Sequence, residues 1–388
     1  MTPVESFLPP PPPEAAAHSH RLAEKIAFEI TDAGGWIPFS RYMEMALYEP
    51  GFGYYSAGSR KFGGEGDFIT SPEISPMFAR CLGMQARQVL EAVGGDILEL
   101  GPGSGVLACD LYAELKAQGA APQRYHLLEV SPDLRERQRA AIAERHPQDI
   151  ERFVWHERLP EKIRGFVVAN EVLDVVPFSI VHRSGGDLLE LGVAVSEAGI
   201  GWEDAPLPAG DLKRRASVVF PRGDYDYTSE FGLVAEGLVR TIAANLEAGM
   251  ALFIDYGFPE REYYHPQRSM GTLRCHYRHR FHGDPFFMPG LQDITAHVDF
   301  TAMGAAAESA GAEVLGFTTQ AYFLISSGLA VLVSGGDPNM TLSRLKATSA
   351  VHRLISPSEM GELFKVLAIG KGIESPLIGF QSARPMAL

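Results

Sequence analysis

The sequence predicts an α/β fold, a Rossmann-like core of parallel strands flanked by helices, with an N-terminal helical cap and an inserted β-rich subdomain. Three observations predict it. Short apolar runs at 97–100, 166–169 and 250–254 read as buried strands, and they alternate with stretches of helical spacing. The first run leads into a glycine loop and then a helix, the order of a cofactor-binding βα unit. Between residues 178 and 204, short runs of alternating apolar residues are joined at Gly185 and Gly199, as in an antiparallel meander. A chain of 388 residues exceeds one comfortable core, so a main domain with a smaller one is expected.

Taken in order, residues 1–18 contain a proline run that stiffens an extended tail with too little apolar surface to fold. No arginine precedes Arg21, unlike an arginine-rich import presequence, and no apolar run is long enough to span a membrane. Cys81, Cys109 and Cys275 are widely spaced and read as reduced thiols. A cytoplasmic protein is expected. Residues 19–92 form the cap: Leu22, Ile26 and Ile30 have helical spacing before Gly34 and Gly35, and a second helix covers about 39–47. Residues 48–80 are rich in glycine and aromatics and show neither period, and loops of this length are more often functional than idle.

Residues 93–388 are assigned to the core, with the β-rich insertion at about 178–230 and a substrate-side loop at about 258–300. The string DILELGPGSGVLACD begins at Asp96, and its Gly101, Gly103 and Gly105 allow a sharp reversal with backbone N–H groups close to a ligand. Glu99 precedes the turn. Val106 stands where a dinucleotide fingerprint has its third glycine, which disfavours nicotinamide. A second strand ends in Glu129, at the separation from the glycine loop where a carboxylate accepts from both ribose hydroxyls. The fourth strand ends at Ala169 and Asn170 begins the turn at its carboxyl end, followed by Glu171 and Asp174; on one helical turn those two carboxylates would share a face. With the net negative charge, those carboxylates favour a cationic acceptor, and they match the planar donor fork of a guanidinium. Asn170 and Asp174 could equally cap a helix. Asp255 and Tyr256, at the end of the fifth strand, face the same crevice and are candidates for binding the substrate.

His276, His279 and His282 are spaced by three, but Pro285 and the surrounding glycines indicate an irregular loop and not one helix face, so a structured lid over the substrate is expected and no metal. Asp293, His297 and Asp299 flank a turn into a helix, with no role readable from spacing. The net charge of −14 argues against nucleic acid and for a cationic protein segment as partner. No membrane association is expected, and a homodimer is left open.

An acidic residue followed by G-x-G-x-G resembles motif I of class I S-adenosylmethionine-dependent methyltransferases. GDFITSPEISPMF at 66–78 closely resembles the signature of the MidA-type family, whose mitochondrial members are arginine methyltransferase assembly factors of respiratory complex I. NEVLDVVP at 170–177, IDYG at 254–257, LQDITAHVDF at 291–300 and GELFKVLA at 361–368 extend the resemblance over nearly the whole chain. It implies a class I methyltransferase core, S-adenosylmethionine as cofactor, and symmetric methylation of an arginine exposed on a protein, namely a respiratory NADH dehydrogenase subunit. In that frame Thr70, Ser71 and Asp67 lie at the lip of the cofactor site, with Ser71 also placed to cap a helix starting at Pro72. Trp155 or Leu159 would cover the adenine, and His156 or Glu157 would meet its amino group. A small-molecule or RNA methyltransferase, or an assembly factor that binds the cofactor without turnover, are the alternatives.

Overall fold

The computed structural model describes residues 8–57, 69–223, 225–334, 349–381 and 387–388. Helix α1 (Pro13–Asp32) starts earlier than the expected tail allows, because proline at the first helical turn gives up only an N–H that has no partner there. Its buried Leu22, Ile26 and Ile30 pack with helix α2 (Phe39–Tyr48), and β1 (Trp36–Pro38) lies between the two. After the aperiodic stretch come α3 (Ser71–Ile74) and α4 (Pro76–Val93). The helix expected at Pro72 is only one turn long, and Ser71 does not cap it. Ser75 is the effective cap, accepting the Met77 N–H in front of the long helix.

The core follows as β2 (Asp96–Leu100), α5 (Val106–Ala117), β3 (Tyr125–Leu128), α6 (Pro132–Arg145), β4 (Phe153–His156) and β5 (Ile163–Asn170). An insertion then supplies β6 (Ser179–Ser184), β7 (Asp187–Ser196), β8 (Gly199–Pro206), α7 (Asp211–Val219) and β9 (Tyr227–Phe231). The chain returns through α8 (Leu233–Asn245) to β10 (Leu246–Phe258) and α9 (Glu260–Tyr263). Next come β11 (Arg274–Tyr277), β12 (Arg280–His282), β13 (Asp293–Thr295) and β14 (Val298–Asp299). Helix α10 (Phe300–Ser309), β15 (Glu313–Thr319), α11 (Gln320–Ser326), α12 (Leu329–Ser334) and β16 (Phe364–Lys371) follow.

The main sheet runs β15-β16-β10-β5-β2-β3-β4, with β14 added on β10. Strands β10, β5, β2, β3 and β4 are mutually parallel, while β16 is antiparallel to both β10 and β15. From β2 the chain builds outward to β3 and β4, and then returns to place β5 on the other side of β2. That reversal leaves a crevice at the carboxyl ends of β2 and β5, where open α/β sheets bind ligands. Both faces of the sheet are covered by buried apolar residues, including Phe166, Val168 and Leu252 on one side and Leu98, Val167 and Phe253 on the other.

The cap and the insertion are one layer. Strand β1 pairs antiparallel with β7, Ile37 opposite Val193, and the insertion's sheet is ordered β1-β7-β6-β9 with β8 on β7. Its Phe178, Ile180 and Val193 share a core with Leu22, Ile26 and Tyr42. The segment expected as an irregular loop contains a small antiparallel sheet, β12-β11-β13, in which Cys275 faces both His282 and Ile294.

Candidate active site

At the end of β2 the chain reverses through Gly101 (φ +58°), Gly103 (φ +52°) and Gly105 (φ +80°), left-handed conformations that glycine adopts without steric cost. A Cβ on Gly101 would come within 3.0 Å of Val172. The turn opens on a cavity of about 220 Å³ with mostly apolar walls from Leu100, Leu107, Leu128, Val130 and Leu134. Beneath the turn, Glu99 lines the cavity and accepts the Tyr125 hydroxyl at 2.5 Å. Burial pushes its carboxyl up to about 8, against the lowering effect of that hydrogen bond.

Glu129 stands just past β3 and lines the same cavity. Its Oε1 accepts the Ser131 N–H at 2.8 Å and its Oε2 accepts Gln138 Nε2 at 3.1 Å. Gln138 Nε2 also donates to the Gly103 carbonyl at 2.9 Å, so one amide on α6 ties the glycine turn to the candidate ribose carboxylate. The sequence reading missed Gln138, whose only signal was a buried polar residue on a charged helix.

Asn170, Glu171 and Thr70 complete this cavity. Glu171 is not on a helix: it sits at φ +54°, and its N–H donates to the Ile254 carbonyl at 2.9 Å. A left-handed glutamate costs about 1–2 kcal/mol and is most often retained where its side chain has a task. Asn170 Nδ2 donates to Glu171 Oε1 at 3.0 Å, and Asn170 Oδ1 is buried with no partner among the described residues.

The loop after Glu171 is held by Asp255. Its Oδ2 accepts the N–H groups of Val172, Leu173 and Asp174 at 3.1, 2.9 and 3.3 Å, and its Oδ1 accepts the Tyr256 N–H at 2.9 Å. Asp255 is therefore consumed by backbone donors beneath the site, and is not on the wall of the cavity where the substrate was expected to meet it. Tyr256 is.

That second cavity, of about 190 Å³, adjoins the first, and Tyr55, Glu171 and Val175 line both. Glu171, Asp174 and Asp293 bring three carboxyl groups to it, together with Tyr256, Thr272 and His297. Tyr55 donates its hydroxyl to Asp293 Oδ1 at 3.0 Å. Asp174 Oδ1 is buried without a partner among the described residues. Burial and the neighbouring Asp255 push Glu171 up to about 8; the same causes, with Asp293 and Glu171 added, raise Asp174. Burial, with Arg268, Arg274 and Lys365 nearby, pulls His297 down to about 4, so its ring is neutral. Tyr55, Asp293, Thr272 and His297 come from segments expected to be functional, but spacing gave none of these four residues a role of its own.

Several expected residues fall elsewhere. His156 turns onto β3, its Nε2 2.8 Å from His126 Nδ1, and does not line the cofactor cavity. Trp155 donates to Gln138 Oε1 at 2.9 Å under the guanidinium of Arg139, Glu157 pairs with Arg135, and Leu159 packs on the core, so none of them covers the cavity. Ser71 is buried behind it, its hydroxyl 3.1 Å from Gln320 Oε1, while its backbone N–H reaches Glu171. Asp67 lies outside the described residues. His276 lines the second cavity, His279 is at a hairpin tip and His282 Nδ1 accepts the Asp284 N–H. Among the described residues no group of three His, Cys, Asp or Glu side chains is placed to hold a metal ion.

The parallel sheet with its antiparallel β16, the glycine turn at the switch point and a carboxylate after the next strand define a class I S-adenosylmethionine-dependent methyltransferase. The chain belongs to the family described as "Putative S-adenosyl-L-methionine-dependent methyltransferase", whose model matches residues 81–318. It is 30% identical to a Drosophila melanogaster protein named protein arginine methyltransferase NDUFAF7 homolog, mitochondrial, over 96% of this chain and 92% of the relative. It is also 30% identical to the Danio rerio protein arginine methyltransferase NDUFAF7, mitochondrial, over 90% and 85%. Among solved structures, one described as a "likely methyl transferase" from Burkholderia thailandensis, bound to S-adenosyl-homocysteine, is 45% identical with a TM-score of 0.91 over 97% of this chain and 98% of that one. The cofactor is S-adenosylmethionine, as the motifs implied. The cytoplasmic expectation is corrected, because the relatives are named as mitochondrial proteins. The lack of arginine before Arg21 was too weak a signal to exclude that compartment. No helix among the described residues is long and apolar enough to cross a membrane.

The residues present fit that cofactor. The turn lacks a Cβ at Gly101, Gly103 and Gly105 and so admits a ligand against backbone N–H groups, Glu129 offers a carboxylate for ribose hydroxyls, and Asn170 Oδ1, without a partner among the described residues, offers an acceptor. When bound, S-adenosylmethionine supplies an electrophilic methyl group.

Proposed function

We propose that this methyltransferase acts on an arginine side chain of a protein. The observation that carries the reading is the second cavity: Glu171, Asp174 and Asp293 converge in a half-enclosed space that meets the cofactor cavity at Glu171 and Tyr55. Three carboxyl groups gathered there are costly to ionise together, as the raised Glu171 and Asp174 show, unless a cation joins them. A guanidinium is such a cation, always charged and flat, with donors enough for all three.

Glu171 and Asp174 hold the guanidinium in one orientation, and Asp255 fixes both by gripping the loop between them. Anionic Glu171 draws positive charge away from the attacking nitrogen, which makes that nitrogen a better nucleophile. A nitrogen that has gained a methyl must shed one proton, and a Glu171 carboxylate oxygen is placed to receive it. Neutral His297 and Tyr256 wall the space without adding a competing charge. Two of the relatives are named protein arginine methyltransferases, which supports the same acceptor. Symmetric dimethylation and a respiratory NADH dehydrogenase subunit as target follow from the family resemblance and form part of this reading.

The test is transfer of label from S-adenosylmethionine to arginine peptides, with hydrolysis and separation of the methylarginines. Labelled arginine carrying one methyl on each terminal nitrogen is expected. Label only on lysine, on RNA or on small molecules would overturn the reading.

A further inference from the structure

Helix α6 buries the stripe Leu134, Gln138 and Ile142, and an amide stands in the middle of it where an apolar side chain would ordinarily pack. Gln138 is buried and lines neither cavity. Burying an amide is costly unless its groups are paired, and here both N–H bonds and the oxygen are used. Nε2 donates to the Gly103 carbonyl at 2.9 Å and to Glu129 Oε2 at 3.1 Å, while Oε1 accepts the Trp155 indole N–H at 2.9 Å. An indole only donates, whereas a carbonyl and an ionised carboxylate only accept, so the partners fix which way the amide points. Trp155 is held in turn by Arg139, whose guanidinium lies 4.6 Å from the ring centre.

The two acceptors that Gln138 joins come from different units of the fold. Gly103 is in the turn after β2, and Glu129 follows β3. Without a donor between them, a carbonyl and a carboxylate would approach one another unpaired. A single amide nitrogen supplies two N–H bonds and no charge, so it satisfies both acceptors and leaves Glu129 an anion. A lysine or arginine would neutralise the carboxylate and compete with a ligand for it. Glu129 Oε1 accepts the N–H of Ser131, the N-cap of α6, at 2.8 Å, so each carboxylate oxygen has one donor from this helix or its cap. Burial pushes the Glu129 carboxyl up, and the Ser131 and Gln138 donors act against that, with smaller help from the Val130 N–H and Arg135. The helix also seats against the turn: a Cβ on Gly105 would lie 3.4 Å from Gln138 Cγ.

We propose that Gln138 is a positioning residue for the cofactor: it holds the Gly103 turn and the Glu129 carboxylate in one fixed relation, and so sets how strongly the enzyme prefers a ligand with an intact ribose. It acts through Glu129 and Gly103 and does not touch the ligand. A free glutamate must freeze its side-chain torsions when hydroxyls arrive; Gln138 and Ser131 freeze those of Glu129 beforehand, and the ligand meets an acceptor already in place. Trp155 serves the same end one step further out, by keeping the amide from turning over. The inference needs S-adenosylmethionine as cofactor and Glu129 as the ribose acceptor, and is independent of which acceptor receives the methyl group.

The test is calorimetric titration of the full chain with S-adenosylhomocysteine and with its 2′,3′-dideoxyribose analogue, which has no hydroxyl to offer Glu129. Gln138→Met fills a similar space without a donor. S-adenosylhomocysteine should bind about tenfold more weakly, the scale of one hydrogen bond to a charged group, and the analogue at most about threefold more weakly, because for it only the turn is loosened. A role confined to packing α6 would weaken both ligands alike. Trp155→Phe keeps Gln138 and an aromatic ring but frees the amide to rotate, and should lower the preference for S-adenosylhomocysteine over the analogue by about threefold. That variant decides the matter if Gln138→Met does not fold, which circular dichroism reports. On a Glu129→Ala background, Gln138→Met should weaken the two ligands equally, since the carboxylate through which it acts is gone. Equal losses for the two ligands in Gln138→Met, wild-type affinities in either single variant, or a ligand preference that Gln138→Met still lowers without Glu129 would each overturn the proposal. Wild-type protein that binds both ligands equally would do so too, by removing Glu129 from the ribose. The arginine reading stands apart from these outcomes, because labelled methyl transfer judges it.

Discussion

Tyr55 donates its hydroxyl to Asp293 Oδ1 at 3.0 Å while its ring borders both cavities. Burial and nearby carboxylates raise the phenol well above its ordinary value, so it stays a donor throughout the working range. Tyr55→Phe keeps the ring and loses this contact. S-adenosylhomocysteine affinity should hardly move, whereas KM for an arginine peptide should rise about tenfold, the scale of one hydrogen bond to a charged group. Steady-state kinetics beside calorimetry checks it, and an unchanged KM would remove Asp293 from the acceptor grip.

Glu129 and Gly103 report on the cofactor alone. If Glu129 accepts from the ribose hydroxyls, Glu129→Ala should cost about 1–3 kcal/mol, or roughly tenfold to a hundredfold in affinity. Gly103→Val forces a β-branched residue into a left-handed turn and places its side chain against the ligand, so binding should be lost. Calorimetry with S-adenosylhomocysteine gives both answers; wild-type affinity in a folded Gly103→Val protein would refute the role of the turn.

Glu171→Gln separates chemistry from binding. The shape is kept and the anion is lost, so single-turnover transfer to an arginine peptide should fall by about a hundredfold or more at saturating cofactor, with cofactor affinity little changed. Asp174→Asn should act in the same direction. Wild-type turnover in Glu171→Gln would exclude the residue from the mechanism.

The buried carboxyl groups set a pH dependence of definite sign. Glu171 is raised to about 8 and Asp255 to about 7, so the folded ligand-free protein holds protons that the unfolded chain has released above about 4.5. The resulting stabilisation is fully present below the unfolded values and is lost as pH rises through about 7 to 8. Thermal unfolding of the ligand-free protein should therefore shift to lower temperature between about pH 5 and pH 8, and Glu171→Gln should flatten that slope. In the opposite direction, kcat/KM for the acceptor should climb with pH toward about 8, because the free enzyme must ionise Glu171 before it can hold a guanidinium. A rate profile that falls over this interval would contradict the assignment.

The legible parts of the site were those written locally. The glycine turn, Glu129 and the pair Glu171 and Asp174 each sit a fixed few residues from an apolar strand, so strand and turn together announced their place. The far wall was not legible, because it is made by contacts across the chain: Tyr55 meets Asp293, and Thr272 Oγ1 accepts the His297 N–H. Spacing also failed where conformation broke the regular period. Glu171 and Asp174 share a cavity through a left-handed turn pinned by Asp255, not through a helix. Strand β1 was invisible for the same reason as Tyr55: three residues gain strand character only by lying against Gly192, Val193 and Ala194. His156 shows the converse error, where a correct strand end carried a side chain that turned toward its neighbour strand.

The position of β16 has a consequence for how the protein is made. This strand is wedged between β10 and β15, yet it is synthesised after both, so while the ribosome is still working β10 presents an open edge of unpaired backbone groups. The cofactor-binding half can assemble on the nascent chain as β2 to β5 and β10 emerge. The sheet closes only once Lys371 is out. A stalled chain or a nonsense mutation upstream of Phe364 would thus yield a molecule with a complete glycine turn and an exposed sticky edge, a species prone to aggregate rather than a shortened enzyme.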